Sequence, residues 1–472
     1  MFLVHPARSA REAQLPRFFV VSLKSELHAR AFHMTALTAA PRPPGSRHRR
    51  GLNWAFIGLL YTSYYMCRYN LPLAGGAIGA EFGFNKAQLG SIITTALLAY
   101  ACGQIINGLL ADRLGGKRAM LIGVAGTIVM NVIFGLASFW GLLWLFVVIR
   151  GIDGYLQAFG APGMVKINAA WFRPTERGGF AGIFGFMINL GRFGINNLGA
   201  SLLAGFVFLG LIRIPPLHWR WLFWIPAGIA LVIGVCMALI VKDTPEEVGF
   251  PPVNPEEERG GHVQARVFDV FKIIVTNPVV WIVASAYACT GAVRQGIDQW
   301  FPLFMKEVHH VDFKSTEFQI LAASIPFVAS AGSLISGFVS DKVFNGRRAP
   351  VAAFLYFLET VIILAAAQFH SVNAAIFFLV LISLTANSTH SILGTAAAMD
   401  IGGAKMAGFA SGVIDSFQYF GGSLAGYFLG ALLDRSWGNY FYFMAPFGVI
   451  GGVLMLTILN RVNLAKQPRA VA

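Results

Sequence analysis

Gly108-Leu-Leu-Ala-Asp112-Arg113-Leu-Gly-Gly-Lys117-Arg118 and Gly337-Phe-Val-Ser-Asp341-Lys342-Val-Phe-Asn-Gly-Arg347-Arg348 are two copies of one device. Each follows a long apolar run, places an acid one helical turn after a glycine, and ends on a basic pair. The two aspartates are 229 positions apart. A second landmark recurs at nearly the same offset: Arg68 and Arg294, each set within an apolar run, are 226 apart. Two landmarks sharing one offset argue for two homologous halves, and a repeat of this size is the first thing a fold reading has to respect.

Composition sets the solvent. Of 472 residues, 56% are hydrophobic, 13% aromatic and only 12% charged, with a mean hydropathy of +0.63. Soluble domains carry about a quarter charged residues, so this chain has half the charge needed to cover a water-facing surface. That excludes a soluble enzyme, a secreted disulfide scaffold and a nucleic-acid binder, despite a net charge of +14. A bilayer crossing takes about 20 apolar residues. Apolar windows separated by charge and turn signals give twelve spans: 54–77, 88–110, 119–139, 142–168, 179–210, 221–241, 279–304, 317–340, 350–369, 373–398, 405–433 and 439–460. Cys67, Cys102, Cys236 and Cys289 all lie in apolar runs, in no metal-ligand spacing. No metal or cofactor is expected.

The expected fold is all-α integral membrane, twelve transmembrane helices in two pseudo-symmetric six-helix bundles. Residues 1–52 read as a basic disordered arm, 53–241 as the first bundle, 242–278 as a linker, 279–461 as the second bundle and 462–472 as a tail. No secretory signal is recognisable in the arm, and Met34 is a candidate alternative start. Lysine and arginine fix the orientation. With the N-terminus inside, 25 of the 36 basic residues fall on the inner side and six on the outer, which makes both termini cytoplasmic. The compact loops point to a multi-pass protein of a bacterial inner membrane.

Five basic residues fall within spans: Arg68, Arg150, Lys166, Arg192 and Arg294. A charge at mid-bilayer costs roughly 2.5–3.5 kcal/mol on insertion scales, so it persists where it faces a cavity or a partner. Arg68 and Arg294 hold corresponding places in the two halves. Two guanidinium groups facing one cavity suit a dianionic oxyanion, because each presents a planar fork of donors. Snorkelling of Arg68, or an ion pair between Arg294 and Asp298 one turn on, are the plainer alternatives. Arg150 and Asp153 are at helical pairing distance. Asp415 lies one turn before Tyr419 and could carry a proton, meet a cationic part of the substrate or neutralise an arginine. Glu359 and Asp400 are expected near helix ends, and His390 as a structural hydrogen-bonder or a proton relay.

The repeated loop has the pattern Gly-x-x-x-Asp-Arg-x-Gly-x-Lys-Arg and resembles the signature of the major facilitator superfamily. There Asp112, Arg113 and Asp341 are expected to make gating ion pairs between helices; a positively charged anchor with a tight turn is the simpler reading. Tyr64-Tyr65-x-x-Arg68-x-Asn70, Trp171-Phe-x-x-x-Glu176-Arg177-Gly178-Gly179, Asp243-Thr-Pro-Glu-Glu-Val-Gly249-Phe-Pro-Pro252 and Ala410-Ser-Gly-x-x-Asp415-Ser-Phe-Gln-Tyr419-Phe-Gly421-Gly422-Ser423 resemble the organophosphate:phosphate antiporters, from about residue 53 to 461. The resemblance implies exchange of a phosphorylated small organic anion (glycerol-3-phosphate, sugar phosphate or phosphoglycerate) for inorganic phosphate, by a rocker-switch in a lipid bilayer. It implies Arg68 and Arg294 as the phosphoryl clamp, with Tyr61, Tyr65, Tyr100 and Tyr419 lining the site. The chain departs from the family at Gln104, where a lysine is usual, and at Ile188, where glycerol-3-phosphate exchangers have a histidine. Arg192 either restores a positive charge to the cavity or pairs elsewhere, and Asn189, Asn196 and Asn197 either line the path or bond across helices. Coupling roles are expected of Arg150, Asp153 and Asp415. A monomer is expected, with no enzymatic activity and no nucleic-acid partner. A proton-coupled organic-anion permease and a transporter-like hexose-phosphate sensor are the alternatives.

Overall fold

The computed structural model describes residues 45–208, 211–253, 276–344, 347–397 and 412–459. Within them, helix underlies all twelve expected spans. Span one is α1 (Ser46–Arg68) and α2 (Asn70–Phe82), span two α3 (Lys86–Leu114), span three α4 (Gly116–Ala137). Span four is α5 (Leu143–Gln157) and α6 (Gly160–Trp171), span five α7 (Pro174–Ala204), span six α8 (Trp221–Ile240). Spans seven to ten are α9 (Pro278–Glu307), α10 (Thr316–Lys342), α11 (Arg348–Ala366) and α12 (Val372–Ser391), the last running into a π-helical turn, Ile392–Ala397. Span eleven is α13 (412–424) and α14 (Tyr427–Arg435), and span twelve is α15 (Asn439–Thr457).

Two of the expected boundaries move furthest. The basic arm was bounded at residue 52, but α1 starts at Ser46 and takes Arg47, Arg49 and Arg50 onto a helix. Span five stops at Ala204 rather than 210. Beyond it Phe206–Phe208 pairs antiparallel with Ile212–Ile214, two runs whose β-branched and aromatic residues favour strand.

The breaks in spans one and four have the same cause. Pro72 and Pro162 are each the third residue of the second helix, in Asn70-Leu-Pro72 and Gly160-Ala-Pro162. A proline lacks the N–H and crowds the carbonyl four residues back, here those of Arg68 and Ala158. Each helix therefore ends and restarts rather than running through.

Packing repeats with the sequence. In the first half span two lies on span four, and span three on spans four and six; in the second, span eight lies on span ten, and span nine on ten and twelve. Across the halves, span two meets span eleven as span eight meets span five. This is a pseudo-twofold arrangement. Large apolar side chains on spans three, six, nine and twelve are turned outward, among them Val129, Val232, Leu239, Phe354, Val361 and Val453. So large an apolar surface is a bilayer-facing one.

Among the described residues, seven helices, those of spans two, three, six, eight, nine, ten and twelve, are long and apolar enough to cross a membrane by themselves. Spans one, four, five, seven and eleven are broken or charged. They are also the spans that carry Arg68, Arg150, Asp153, Arg192, Arg294 and Asp415. Polar residues interrupt the hydropathy where helices face an interior rather than lipid.

Candidate functional site between the two halves

Arg68 closes α1, at the end where the helix dipole favours a cation. Its Nε donates to Gln157 Oε1 at 2.9 Å, and its Nη1 donates to the Tyr419 hydroxyl of the other half at 3.2 Å. The guanidinium lies over the Tyr100 ring (4.1 Å to the centroid) and the Tyr65 ring (4.8 Å). Tyr100 and Tyr419 pack together at 4.3 Å. Arg68, Tyr100, Gln157, Gln299 and Tyr419 line a small cavity between the halves.

A buried brace fixes Arg68 from behind. Because Pro72 cannot bond it, the Arg68 carbonyl is open, and Arg150 Nη2 donates to it at 2.6 Å. Arg150 also donates to the carbonyl of Cys67, to Asn70 Oδ1 and to Asp153 Oδ2, the last at 2.8 Å. Asp153 accepts in turn from Gln157 Nε2 at 3.0 Å on both oxygens. Gln157 therefore hands its remaining oxygen to Arg68. The pair expected from the spacing of Arg150 and Asp153 is present, and what it does is hold a helix break and aim a side chain. Coupling is expected of these two; every bond of theirs described above lies within the first half.

Arg294 is buried, its Nε 3.9 Å from Asp298 Oδ2. The nearer cation to Asp298 is Arg192 of the other half, whose Nη2 donates to Asp298 Oδ1. Tyr69 Oη reaches the same carboxylate at 3.5 Å, and Arg192 stands over the Tyr69 ring at 5.3 Å. Arg192 thus joins the halves through Asp298. Tyr61, Tyr65 and Tyr69 form a ladder with successive centroids 5.7 Å apart, and Tyr61 meets Phe184 of span five. Asn189 bonds across helices, donating to Ser330 Oγ of the other half at 2.7 Å.

Gln104 Nε2 donates to Asp415 Oδ2 at 2.9 Å, and Tyr100 Oη accepts from the same amide at 3.2 Å. Asp415 Oδ1 accepts from Tyr287 Oη at 3.3 Å. Glu359, expected near a helix end, is instead mid-way along α11 and fully buried, with Thr385 donating to Oε1 at 3.4 Å. Arg113 is exposed. The side chains of Asp112 and Asp341, and the whole of Asp400, lie outside the described residues.

The halves are seamed at the end that carries Asn85. Asp434 accepts from the backbone N–H groups of Lys86 and Ala87 at 2.8 and 2.9 Å, capping α3 from the other half. Lys86 Nζ pairs with Glu307 at 3.0 Å, and Thr94 Oγ1 donates to the Ser423 carbonyl at 2.7 Å. Gly90 and Gly426 let the backbones touch, since a Cβ on Gly90 would stand 2.3 Å from the Gly426 oxygen. At the linker end, Cβ atoms added to Gly108, Gly185, Gly337 or Gly412 would meet open space.

The family model of the Major Facilitator Superfamily matches residues 57–426. The chain belongs to this superfamily. Within it the chain is 27% identical to the membrane sensor protein UhpC of Salmonella typhimurium, over 88% of this chain and 91% of that protein. It is 27% identical to a probable hexose phosphate transport protein of Chlamydia pneumoniae (88% and 92%) and to the glycerol-3-phosphate transporter of Bacillus subtilis (87% and 93%). In fold it is similar to a bacterial homologue of the human lysosomal transporter Spinster, solved inward-facing and unoccupied, with a TM-score of 0.67 at 18% identity over 87% of this chain. Superfamily membership makes this a transporter-type membrane protein rather than an enzyme.

For a superfamily member, the residues the sequence reading missed are the ones that join its named residues. Gln157 is four positions from Asp153 and seven from Arg150, a spacing that puts all three on one helix face. Tyr69 continues the four-residue ladder from Tyr61 and Tyr65. Asp434 carries no such signal, because its partners are backbone N–H groups at the start of α3, far away in sequence.

Proposed function

We propose that this chain exchanges a phosphorylated small organic anion for inorganic phosphate by alternating access. The observation that supports the reading best is Arg68: a guanidinium held by Gln157 on one half, touching Tyr419 on the other, over two tyrosine faces, beside a cavity. A phosphoryl group entering there would take the fork of donors now shared with Tyr419 and would be drawn toward Arg294, which lies near the same Tyr65 and Tyr419. Binding would thus tie the halves together at mid-depth. The Asp298 carboxylate, held by Arg192 and close to Arg294, is the protein's own anion beside these cations. Relatives that transport, or are held to transport, hexose phosphate and glycerol-3-phosphate support this substrate class.

With the basic side inside, both termini and the linker are cytoplasmic, the Asn85 end is external, and the structure is closed outward. A bacterial inner membrane and a monomer fit the compact loops and the self-contained cavity. Similarity to UhpC at the same level supports a second reading, a sensor that binds the same anion with little flux. Equilibrium binding to purified protein tests the clamp that both readings share. Inorganic phosphate and glycerol-3-phosphate should bind competitively, citrate or malate should not displace them, and Arg68→Lys and Arg294→Lys should each weaken phosphate binding. Equal affinity in either lysine variant would sink the clamp.

A further inference from the structure

Behind the clamp lies a hydrogen-bonded chain with two half-buried ends and a buried middle. Asp415 on α13 and His390 at the end of α12 are half-buried, and Tyr287 on α9 is fully buried between them. Tyr287 Oη lies 2.5 Å from His390 Nδ1 and 3.3 Å from Asp415 Oδ1, with the Tyr287 and His390 rings stacked at 5.5 Å. The other Asp415 oxygen accepts from Gln104. A π-helical turn begins two residues after His390, a feature often found at functional sites. It brings Gly394 so close that a Cβ there would fall 2.2 Å from the Tyr287 oxygen. Glycine at that position leaves the hydroxyl its place.

We propose that His390, Tyr287 and Asp415 form a proton wire, and that Asp415 binds a proton together with the anionic substrate. A phenol has one hydrogen, so Tyr287 donates to one neighbour only and accepts from the other. With Asp415 ionised, Tyr287 donates to Asp415 and His390 donates its Nδ1 hydrogen to Tyr287. Uptake of one proton at His390 Nε2 reverses the chain. The Nδ1 hydrogen passes to Tyr287, the Tyr287 hydrogen passes to Asp415 Oδ1, and His390 is left neutral with its hydrogen on Nε2. Every hydrogen is accounted for, and one proton has been stored beside the clamp.

The surroundings supply the coupling. Among the described residues, Arg68 of span one and Arg294 of span seven act on Asp415, and Arg192 and Arg294 on His390. Tyr61, Tyr65, Tyr100 and Tyr419 face the same chain from spans one, two and eleven. An anion bound to these arginines would offset their charge and strengthen the Asp415 carboxyl's hold on a proton, and by reciprocity the protonated site would hold the anion more tightly. This coupling rests on the clamp reading; the proton site itself does not.

Infrared difference spectra of the purified full-length protein, titrated without ligand between about pH 5 and pH 8 where imidazole also titrates, read the site directly. A carboxylic-acid band that titrates in wild type should vanish in Asp415→Asn, and its midpoint should move in Tyr287→Phe and in His390→Gln. Tyr287→Phe removes a single oxygen and carries the test if Asp415→Asn does not fold. Saturating inorganic phosphate should move the wild-type midpoint upward; phosphate's own titration is common to all variants and drops out of the comparison. A band unchanged in Asp415→Asn, or a midpoint indifferent to both wire variants, would overturn the proposal. A wire that titrates as described but ignores phosphate would overturn the coupling and point back at the clamp.

Discussion

Arg68 is the residue on which the two halves converge, and its neighbours define what replacing it does. Lysine keeps the charge but loses both the Nε contact to Gln157 and the planar overlap with Tyr100. Charge-assisted hydrogen bonds are worth about 1.5–3 kcal/mol, so Arg68→Lys should lower transport about ten- to a hundredfold while inserting normally, as checked by uptake normalised to protein in the membrane. Asp153→Asn tests the brace. Removing one partner of a buried ion pair destabilises by about 3–5 kcal/mol, and here it leaves Arg150 without its counter-charge. The expected outcome is a lower melting temperature and a raised KM, both measured on the same preparation. Arg68, Arg294, Arg150, Asp153 and Asp415 were legible because a charge in an apolar run stands out. The pairings across the halves were not: Asp298 serves Arg192 more closely than the Arg294 one turn away, and no spacing rule links span five to span seven.

At the scale of the helices, hydropathy locates crossings and misses what happens inside them. Windows over spans one and four show one apolar stretch each, yet Pro72 and Pro162 divide both, and the Pro72 break is what frees the Arg68 carbonyl for Arg150. The signal was in the sequence as a proline within a span. Its meaning needed the arginine of another helix. Pro72→Ala restores an N–H that competes for that carbonyl. The helix should run through, so the melting temperature should not fall, while transport should slow several-fold because Arg68 is re-aimed; a parallel measurement of thermal unfolding and uptake separates the two. Glu359 shows the converse error. Its place in an apolar window suggested a helix end, but Thr385 and the interior of the second half accept it mid-helix.

For the whole molecule, the repeat that decided the fold also bears on the proposed alternating access. Pairings within each half recur six spans later, so the halves share one packing design, and under that proposal the contacts between them decide which end is open. Those at the Asn85 end depend on Asp434 capping α3 and on two glycines in backbone contact. Gly90→Val cannot close that seam, because its Cβ would overlap the Gly426 carbonyl. It should shift the population toward closure at the linker end, seen as longer spin-label distances across the Asn85 end and lower thiol accessibility at the linker end. The most direct test of exchange is counterflow. Proteoliposomes loaded with labelled phosphate are offered glycerol-3-phosphate, sugar phosphates, phosphoglycerates and non-phosphorylated carboxylates from outside, with and without a pH gradient. Label should leave when an organophosphate is added and stay when a carboxylate is. Retention of label against every organophosphate, in folded protein that binds phosphate, would contradict exchange and leave the sensor reading in its place.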